Sequence, residues 1–427
     1  MPKRENLILI TAHYPHIGGE PFLDDELKVA ERFFKKIIII NYDSKHGPIK
    51  GYIPSNAQIV NARKKRFEFV PLLDTAIMML SSRAFREKKF ACEILGYSGR
   101  KLEVNKKIFT CFYIANCLKR CMKKRRNKND WGVPAETIFY SYWMSEGAYF
   151  LTEYKKKNRG ALCICRTHGG DCYIDKNYDP FRREILTGLD KVFSISEAGK
   201  RSISELLLPY VSGAHTEIEV SRLGISAPEH CEKKKENKEA FSIVTCSNVI
   251  QLKRLDLIID AIALIRNISI NWIHFGDGDM RLSMQKKANE VLGNKNNINF
   301  SFAGITPKSS LMEYYRDNKI DLFINASDSE GIPVSIMEAF SYGIPAIARD
   351  VGGNSEVVRD GYNGLLLPGR ISAARLADAI ETIYAMSDDD RRKISENAYN
   401  TFKKDFSADI NYDRFYRGIC GCQEREQ

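Results

Sequence analysis

The stretch that decides the fold runs from Asn325 to Gly353 and reads NASDSEGIPVSIMEAFSYGIPAIARDVGG. A loop of small polar residues follows a predicted strand over residues 321–325 and leads into a predicted helix over residues 334–342. Pro333 suits the first helical position because its missing N–H costs nothing there. Gly343 can end the helix before the next strand. A loop at a strand's carboxyl end and at the positive amino end of a helix is predicted to bind an anion.

Two acids in this stretch, Glu330 and Glu338, are separated by seven residues. Glu330 precedes the predicted helix and Glu338 lies inside it, so both side chains can reach one side of the site. The N–H groups near Val334 and Ser335 could hold a diphosphate, and carboxylates accept hydrogen bonds from sugar and ribose hydroxyls. On spacing alone an alternative stays open, in which Glu330 caps the helix and Glu338 is a solvated ion-pair former.

Strands alternate with helices on both sides of a polar run. Predicted strands cover residues 7–11, 37–41, 137–140, 161–166 and 191–194 in the first half, and 242–246, 271–275, 299–303, 321–325 and 344–348 in the second. Apolar strands that alternate with helices indicate parallel sheets covered on both faces. The polar run over 227–240 is predicted to be a linker. We therefore expect an α/β protein with two doubly wound domains that face each other across a cleft, with ligands at the strands' carboxyl ends.

The composition of the 427 residues, with 44% hydrophobic and 28% charged, is typical of a soluble chain with more than one domain. No apolar run of about 20 residues is present, so no spanning helix is predicted. The first residues do not resemble a signal peptide. Eleven scattered cysteines favour a reducing cytoplasm over a disulfide scaffold. The pairs Cys163/Cys165 and Cys420/Cys422 lack the spacing of a zinc site and are interpreted as ordinary thiols.

The positive charge is concentrated in one segment. Residues 81–130 contain 15 Lys or Arg and 4 Asp or Glu, which equals the net charge of +11 of the whole chain. Aromatic and aliphatic residues from Ile108 to Leu118 precede the basic run that starts at Lys119, and more apolar residues lie between Phe69 and Leu80. This pattern suits an anionic membrane surface. A buried helix with a solvated polar face is the alternative. Nucleic-acid binding is not expected, because no known nucleic-acid motif accompanies the charge.

The spacing of Glu330 and Glu338 and the stretch around them resemble family 4 of the retaining glycosyltransferases with the GT-B fold, which consists of two Rossmann-like domains. The resemblance covers most of the chain. Further matching landmarks are the segment from His13 to Leu23, Ser141 to Trp143, Arg166 to Asp171, Ser194 to Ser196, Arg222 to Gly224, Phe275 to Gly278 and Asn299 to Gly304.

The resemblance implies a role for each matching residue. Glu330 would contact the donor sugar, Lys253 would neutralise the leaving diphosphate, and His168 would lie near the sugar; these three are the candidate catalytic residues. Glu338 would bind the ribose hydroxyls. The family usually has an arginine where this chain has Asn248, so Arg254 or an arginine of the first domain would have to compensate. The remaining candidate donor-binding residues are Gly18, Gly19, Gly276, Gly304, Ile305, Gly331, Ile332, Pro333, Val334 and Ser335.

The resemblance also implies a domain plan. Residues 1–226 would form the acceptor-binding domain, with a basic insertion at about 66–130 that lies against a membrane. Residues 227–240 would be the linker, 241–405 the nucleotide-sugar-binding domain, and 406–427 a helix that packs back on the first domain.

The activity implied is transfer of a hexosyl-type sugar from a nucleotide-diphosphate sugar to a lipid-linked saccharide acceptor, with retention of configuration, in bacterial surface polysaccharide synthesis. The enzyme would be cytoplasmic and peripheral on the inner face of the plasma membrane. Neither a cofactor nor a metal is expected, since loop chemistry explains Asp277 and Asp279 better than metal binding. Two alternatives stay open: a sugar-nucleotide epimerase of the same architecture and a membrane-associated scaffold with weak or no turnover.

Overall fold

The structure, a computed structural model, describes residues 4–16, 20, 22–43, 47–63, 68–126, 133–173, 178–226 and 240–421. The chain divides into two compact units. Unit 1 comprises the chain up to Gly224 together with the segment that starts at Ala408, and unit 2 is Ile225–Ser407. The predicted linker at 227–240 falls almost entirely outside the described residues.

Each unit is built on one parallel sheet among the residues described. The strands are β1 Asn6–Thr11, β2 Lys36–Asn41, β3 Ala57–Asn61, β4 Thr137–Ser141, β5 Leu162–Thr167, β6 Lys191–Ser194, β7 Ile218–Val220, β8 Phe241–Cys246, β9 Ile270–Phe275, β10 Ile298–Gly304, β11 Leu322–Asn325, β12 Ala346–Arg349 and β13 Gly364–Leu367. The strand order is β3-β2-β1-β4-β5-β6-β7 in unit 1 and β10-β9-β8-β11-β12-β13 in unit 2. Both orders reverse at the first strand, as in Rossmann-like domains.

The helices cover the sheets. They are α1 Leu23–Ala30, α2 Phe69–Met79, α3 Ser82–Lys89, α4 Lys101–Arg126, α5 Glu146–Lys157, α6 Gly169–Cys172, α7 Arg182–Gly188, α8 Glu197–Leu207, α9 Leu255–Leu264, α10 Arg281–Leu292, α11 Lys308–Asp317, α12 Val334–Phe340, α13 Ala373–Tyr384, α14 Asp388–Thr401 and α15 Ala408–Cys420. The two doubly wound parallel sheets confirm the fold class predicted from the sequence.

The central strand β1 shows why these sheets are covered on both faces. Leu7 and Leu9 pack in the core that includes α1 and α15, whereas Ile8 and Ile10 pack in the core that includes α4 and α5. Successive side chains of a strand point to opposite faces, so a continuous apolar run requires helices on both sides. The terminal helix α15 thus completes one face of unit 1, through apolar residues at helical spacing such as Tyr412, Phe415 and Ile419.

The basic segment differs from the expectation of a lipid-facing helix. The apolar residues of α4, including Ile108, Phe112 and Leu118, are buried in the core of unit 1. The proposed lipid contact by these residues is therefore wrong, and α4 is the buried helix with a solvated polar face. The apolar residues on α2 behave differently, since Leu73 and Ile77 are exposed. No helix among the described residues combines the length and hydropathy needed to cross a membrane.

Candidate functional site

The predicted site in unit 2 lies where the strand order reverses. β8 and β11 are neighbours at the centre of the sheet, and their connections lead to opposite sides. The loop after β8 carries Lys253, and the loop after β11 carries Glu330. Open α/β sheets bind ligands outside the carboxyl ends of strands at this kind of switch point. The fold therefore brings the two predicted catalytic residues of unit 2 to the expected edge.

The Glu330 carboxylate is held by three donors. Its Oε1 accepts hydrogen bonds from Lys253 Nζ at 2.6 Å, from Ser327 Oγ at 2.7 Å and from Asn325 Nδ2 at 3.1 Å. Ser327 is fixed in turn because its N–H donates to Asn325 Oδ1 at 3.1 Å. The side chains of Lys253 and Glu330 are only 20% and 11% exposed. A cation and a carboxylate are thus positioned in advance at the edge of the sheet.

Glu338 lies on α12, and its side chain is 12% exposed. Its Oε1 is 3.7 Å from Nζ of Lys308, the first residue of α11, which the sequence analysis did not single out. The thiol of Cys246, at the end of β8, is close enough to both acid–lysine pairs for their charges to affect its pKa. Burial, together with the charge of Glu338, raises the pKa of the Cys246 thiol to about 12, and the charge of Lys253 acts in the opposite direction. The side chains of Glu338 and Lys253 therefore both act on the carboxyl end of β8.

The start of α12 differs from the sequence expectation. Pro333 is not the first helical residue but precedes it, with φ −80° and ψ 84°. This is an inverse γ-turn, in which the Val334 N–H donates to Ile332 O at 3.0 Å. The prediction of an open N–H at Val334 is therefore wrong in this conformation. Ser335 follows in the first helical turn and is half-buried.

The end of α12 agrees with the sequence analysis. Gly343 has a φ of +67°, a conformation that favours glycine after a helix. The Ile344 N–H donates to Ala339 O at 3.1 Å, which caps the helix before β12. This turn fixes the length of the helix that carries Glu338.

Two of the predicted glycines, Gly276 after β9 and Gly304 at the end of β10, are joined by a backbone hydrogen bond. Gly276 has a φ of +137°, and a Cβ there would lie 1.9 Å from the Ser247 carbonyl oxygen. Its N–H donates to Gly304 O at 2.9 Å. Only glycine therefore lets the loop after β8 pack on the end of β9. Ile305, beside Gly304, is 84% exposed and is open to a ligand.

Gly331 and its neighbours line the inner side of the loop after β11. A Cβ at Gly353, in the loop after β12, would lie 2.2 Å from the Gly331 carbonyl oxygen. Gly331, Ile332 and Pro333 are buried. These residues position the loop rather than present side chains to solvent.

The carboxylate of Asp328 forms ion pairs with two arginines. Its Oδ1 is 2.5 Å from Nη1 of the nearly buried Arg349 and 3.5 Å from Nη1 of Arg254. Arg254 also donates to Asp256 at 3.0 Å, and this bond raises its pKa. Arg254, which was expected to replace the family's arginine, is thus already paired with the carboxylates of Asp256 and Asp328. Asn248, at that family position, is exposed.

His168 belongs to unit 1 and follows β5. It is 3% exposed, and its Nε2 lies 3.1 Å from Tyr142 O, to which it donates. Burial lowers its pKa to about 3, so the imidazole is neutral at physiological pH. A buried neutral ring with an occupied nitrogen supports a positioning role and does not support the predicted catalytic one. Gly18 and Gly19 lie outside the described residues.

A cavity of about 300 Å³ lies at the carboxyl ends of β1, β4 and β5 in unit 1. Its walls include Glu20, Trp143, Glu146 and Asp171. The Glu20 carboxylate accepts the N–H of Ala12 at 2.7 Å and Nε1 of Trp143 at 2.9 Å, which ties the loop after β1 to the loop after β4. Burial raises the pKa of Asp171 to about 7 and also raises that of Glu146. The sequence analysis included Glu20 and Asp171 in matching segments without giving them a role, and it missed Glu146.

The carboxylate of Asp277, a candidate that the sequence analysis weighed for metal binding, is hydrogen-bonded within the chain. One oxygen of the Asp277 carboxylate accepts the Gly278 N–H at 2.7 Å, and the other accepts a hydrogen bond from Arg281 Nη1 at 2.9 Å. In the part of the chain that the structure describes, no group of three or more His, Cys, Asp or Glu side chains has the geometry of a metal site.

Residues 226–401 match the family described as Glycosyl transferases group 1. The GtfA subunit of a UDP-N-acetylglucosamine–peptide N-acetylglucosaminyltransferase from Streptococcus agalactiae is 24% identical over 45% of this chain and 37% of that protein. The O-antigen biosynthesis glycosyltransferase WbnH from Escherichia coli is 25% identical over 48% of this chain and 56% of that protein. The alignments thus span little more than half of these relatives at most.

Among solved structures, Anabaena HepE in complex with UDP and glucose superposes with a TM-score of 0.64 and 15% identity, over 97% of this chain and 99% of that one. This likeness extends over both units and shows that the chain has the GT-B fold. Residues 226–401, which match the group 1 glycosyltransferase family, lie entirely within unit 2.

Proposed function

We propose that this protein is a glycosyltransferase that moves a hexosyl-type sugar from a nucleotide-diphosphate sugar to a saccharide acceptor, with retention of anomeric configuration. The observation that carries the proposal is the Lys253–Glu330 pair, 2.6 Å apart at the switch point of a group 1 glycosyltransferase domain. HepE, which shares the fold, binds UDP and glucose according to its description. Relatives such as WbnH support a role in surface polysaccharide synthesis.

The geometry suits stabilisation of a leaving diphosphate. In the transfer, the bond from the anomeric carbon to the diphosphate oxygen breaks, and a bond to the acceptor oxygen forms. The acceptor proton passes to the departing phosphate. Negative charge grows on that phosphate, and a fixed ammonium group beside it stabilises the transition state. Lys253 supplies this charge, while the carboxylate of Glu330 accepts hydrogen bonds from the sugar hydroxyls and that of Glu338 from the ribose hydroxyls.

The acceptor is assigned to the acidic cavity of unit 1. Glu146 and Asp171 line it, and their oxygens can accept hydrogen bonds from the hydroxyls of a saccharide. Trp143 offers an aromatic wall of the type on which sugar rings pack. His168 holds this wall in place, since its ring centroid lies 4.7 Å from that of Trp143. A saccharide acceptor therefore fits the cavity better than an anionic one.

Binding and transfer by the full chain test this proposal. A thermal-shift screen of UDP-, GDP- and dTDP-sugars should raise the melting temperature with one donor, because ligand binding to the folded state stabilises it. The same donor should support sugar transfer that persists in EDTA, since Lys253 supplies the charge that a metal would otherwise supply. A strict requirement for Mn²⁺ or Mg²⁺ would contradict the metal-free mechanism. Epimerised or hydrolysed donor without transfer would favour the epimerase, and donor binding without turnover the scaffold.

Glu338→Gln is expected to weaken donor binding about tenfold to a hundredfold, because it removes a charged acceptor for the ribose hydroxyls. The dissociation constant can be measured by calorimetry with the donor found in the screen. Glu313→Gln on the exposed face of α11 removes the same charge and serves as the control. Equal affinity of Glu338→Gln and the control would refute the assignment of Glu338.

We also propose that unit 1 docks on an anionic membrane surface through α2, which suits a lipid-linked acceptor and a peripheral location on the inner face of the plasma membrane. Phe69, Leu73, Ile77 and Leu80 recur at helical spacing and are 79%, 53%, 64% and 90% exposed. α4 packs beside this helix, and Met78 of α2 lines one cavity together with Lys119 and Lys123 of α4. Apolar contact combined with neighbouring cations is the pattern of an interfacial helix.

The variant Leu73→Gln/Ile77→Gln/Leu80→Gln should therefore lose most of its binding to anionic phospholipid vesicles in a flotation experiment. The change removes the apolar contact and leaves the charge and the buried face of α2 unchanged. Leu264→Gln/Leu282→Gln in unit 2 replaces two other exposed leucines as the control. Flotation of the triple variant to the same extent as the control, or no flotation of the unmodified chain, would refute the surface.

A further inference from the structure

A second cavity of unit 1, of about 290 Å³, is not used by the proposed transfer. It lies between α2, α4, α5 and β4, and its walls include Met78, Met122, Phe139, Phe150 and Tyr154. Methionine and aromatic side chains make a deformable apolar lining. A volume at the small end of the range of ligand pockets suits one narrow chain rather than a ring system.

The mouth of this cavity is positively charged. Lys119 and Lys123 on α4 and Lys157 at the end of α5 line it, and all three are exposed. The one acid of the lining, Glu153, is already paired with Lys156 at 2.7 Å and with Arg83 at 3.2 Å. Within the described ranges, none of the three lysines at the mouth forms an ion pair. An apolar interior with uncompensated cations at its entrance is complementary to a hydrocarbon chain with an anionic end.

The position of the cavity separates it from the transfer site. Pro134, which lines it, precedes β4, so the cavity opens at the amino end of that strand. The candidate acceptor cavity lies at the carboxyl end of the same strand. Met78, on α2, forms part of its wall, so the cavity lies beside that helix.

We propose that this cavity binds the hydrocarbon chain of an anionic amphiphile, with the charged head group held by Lys119, Lys123 and Lys157. The chain lies among the methionine and aromatic side chains, and the head group remains at the solvent-exposed mouth. Two sources share this chemistry: a phospholipid of an anionic bilayer and a free single-chain amphiphile. The inference does not depend on sugar transfer, and it is tested without a sugar donor.

Dodecyl phosphate, used below its critical micelle concentration, is the probe. Calorimetry on the full chain should give saturable binding with one site, and neutral dodecyl maltoside should bind at least about tenfold more weakly because it lacks the charge. Lys119→Gln/Lys123→Gln should weaken dodecyl phosphate binding by about tenfold or more. Lys101→Gln/Lys106→Gln, at the other end of α4, removes the same charge and should leave the dissociation constant unchanged.

Ala115→Phe places a ring in the cavity and should abolish binding. Because the lysine variants change only exposed residues, the test does not depend on whether this core substitution folds. No saturable binding, equal binding of the neutral probe, or equal effects of the two lysine pairs would overturn the proposal. Competition by phosphatidylglycerol vesicles that is lost in Lys119→Gln/Lys123→Gln supports the proposal and assigns the bilayer as the source. Dodecyl phosphate binding without such competition supports it with a free amphiphile as the source.

Discussion

Replacement of Lys253 by alanine is expected to lower the rate of sugar transfer by about a hundredfold to a thousandfold, as for the loss of one preorganised group that stabilises developing charge. The fold should survive the change. Glu330 keeps its bonds from Ser327 and Asn325, so its carboxylate is not left without partners. The loss should appear in kcat more than in donor affinity, since the negative charge on the phosphate grows in the transition state.

Two comparisons make this result specific. Lys253→Arg keeps a cation at the site and should retain part of the activity, although its planar group cannot occupy the position of the ammonium. Lys287→Ala removes a lysine of the same unit that pairs with Asp260 at 2.7 Å, and should leave the rate unchanged. If Lys253→Ala and Lys287→Ala transfer sugar at the same rate, Lys253 does not stabilise the leaving group.

The central strands are predicted well because each is a short run of apolar residues that is recognisable in the sequence. β1 and β2 consist almost entirely of buried aliphatic residues, and each of the ten predicted strands overlaps an observed one. The strands that the analysis missed are β3, β7 and β13. They lie at sheet edges, and β7 has only three residues. Edge strands pair on one side only and need less apolar surface, so these three give weaker patterns, whereas the seven-residue edge strand β10 was long enough to be predicted.

The basic segment shows a second reason why prediction from the sequence fails. The charged and aromatic residues, which lie close together in the sequence, suggested that the whole segment contacts a lipid surface, but the two properties separate in the structure. Phe112 of α4 points into the core, whereas Phe69 and Leu80 of α2 are exposed. Whether an apolar stripe faces a core or solvent depends on which neighbours the fold provides, and helical periodicity is the same in both cases.

For the candidate site, the residue types were predictable and their partners were not. The spacing of Glu330 and Glu338 placed them at a loop and in the helix after it, which the structure reproduces. The pairing of Glu338 with Lys308 depends on how α11 packs beside α12, and no local pattern encodes it. The engaged N–H of Val334 results from the backbone angles at Pro333, and the buried state of His168 from its packing on Tyr142 and Trp143.

A buried ion pair connects three parts of unit 1 that are distant in sequence. Arg166 of β5 and Glu26 of α1 are both fully buried, with Nη1 and Oε2 2.8 Å apart. Tyr416 of α15 donates to Glu26 Oε1 at 3.0 Å, and the guanidinium lies 4.4 Å from the ring centroid of Phe415. Burial raises the pKa of Glu26, while the charge of Arg166 and the bond from Tyr416 lower it. The carboxylate thus depends on Arg166 to remain charged inside the unit.

Arg166→Met is therefore expected to destabilise unit 1 by about 3–5 kcal/mol, because it leaves a buried carboxylate without its counterion. The double variant Glu26→Gln/Arg166→Met removes both charges and should recover part of the loss, since a neutral side chain can still accept the bond from Tyr416. Urea unfolding of the full chain measures both, provided that each transition is assigned to its unit, because a protein with two domains need not unfold in one step.

The dependence on pH distinguishes a buried charge from a simple loss of packing. Without Arg166, burial raises the pKa of folded Glu26 above its ordinary value of 4.5, so the folded state binds a proton that the unfolded state releases. The stability of Arg166→Met should then fall as the pH rises above that value and recover as the pH is lowered toward it. The double variant has no carboxylate at this position and should not show this additional fall in stability. A deficit for Arg166→Met that is the same at pH values of about 5 and 8 would mean that lost packing, and not an unpaired carboxylate, causes the instability.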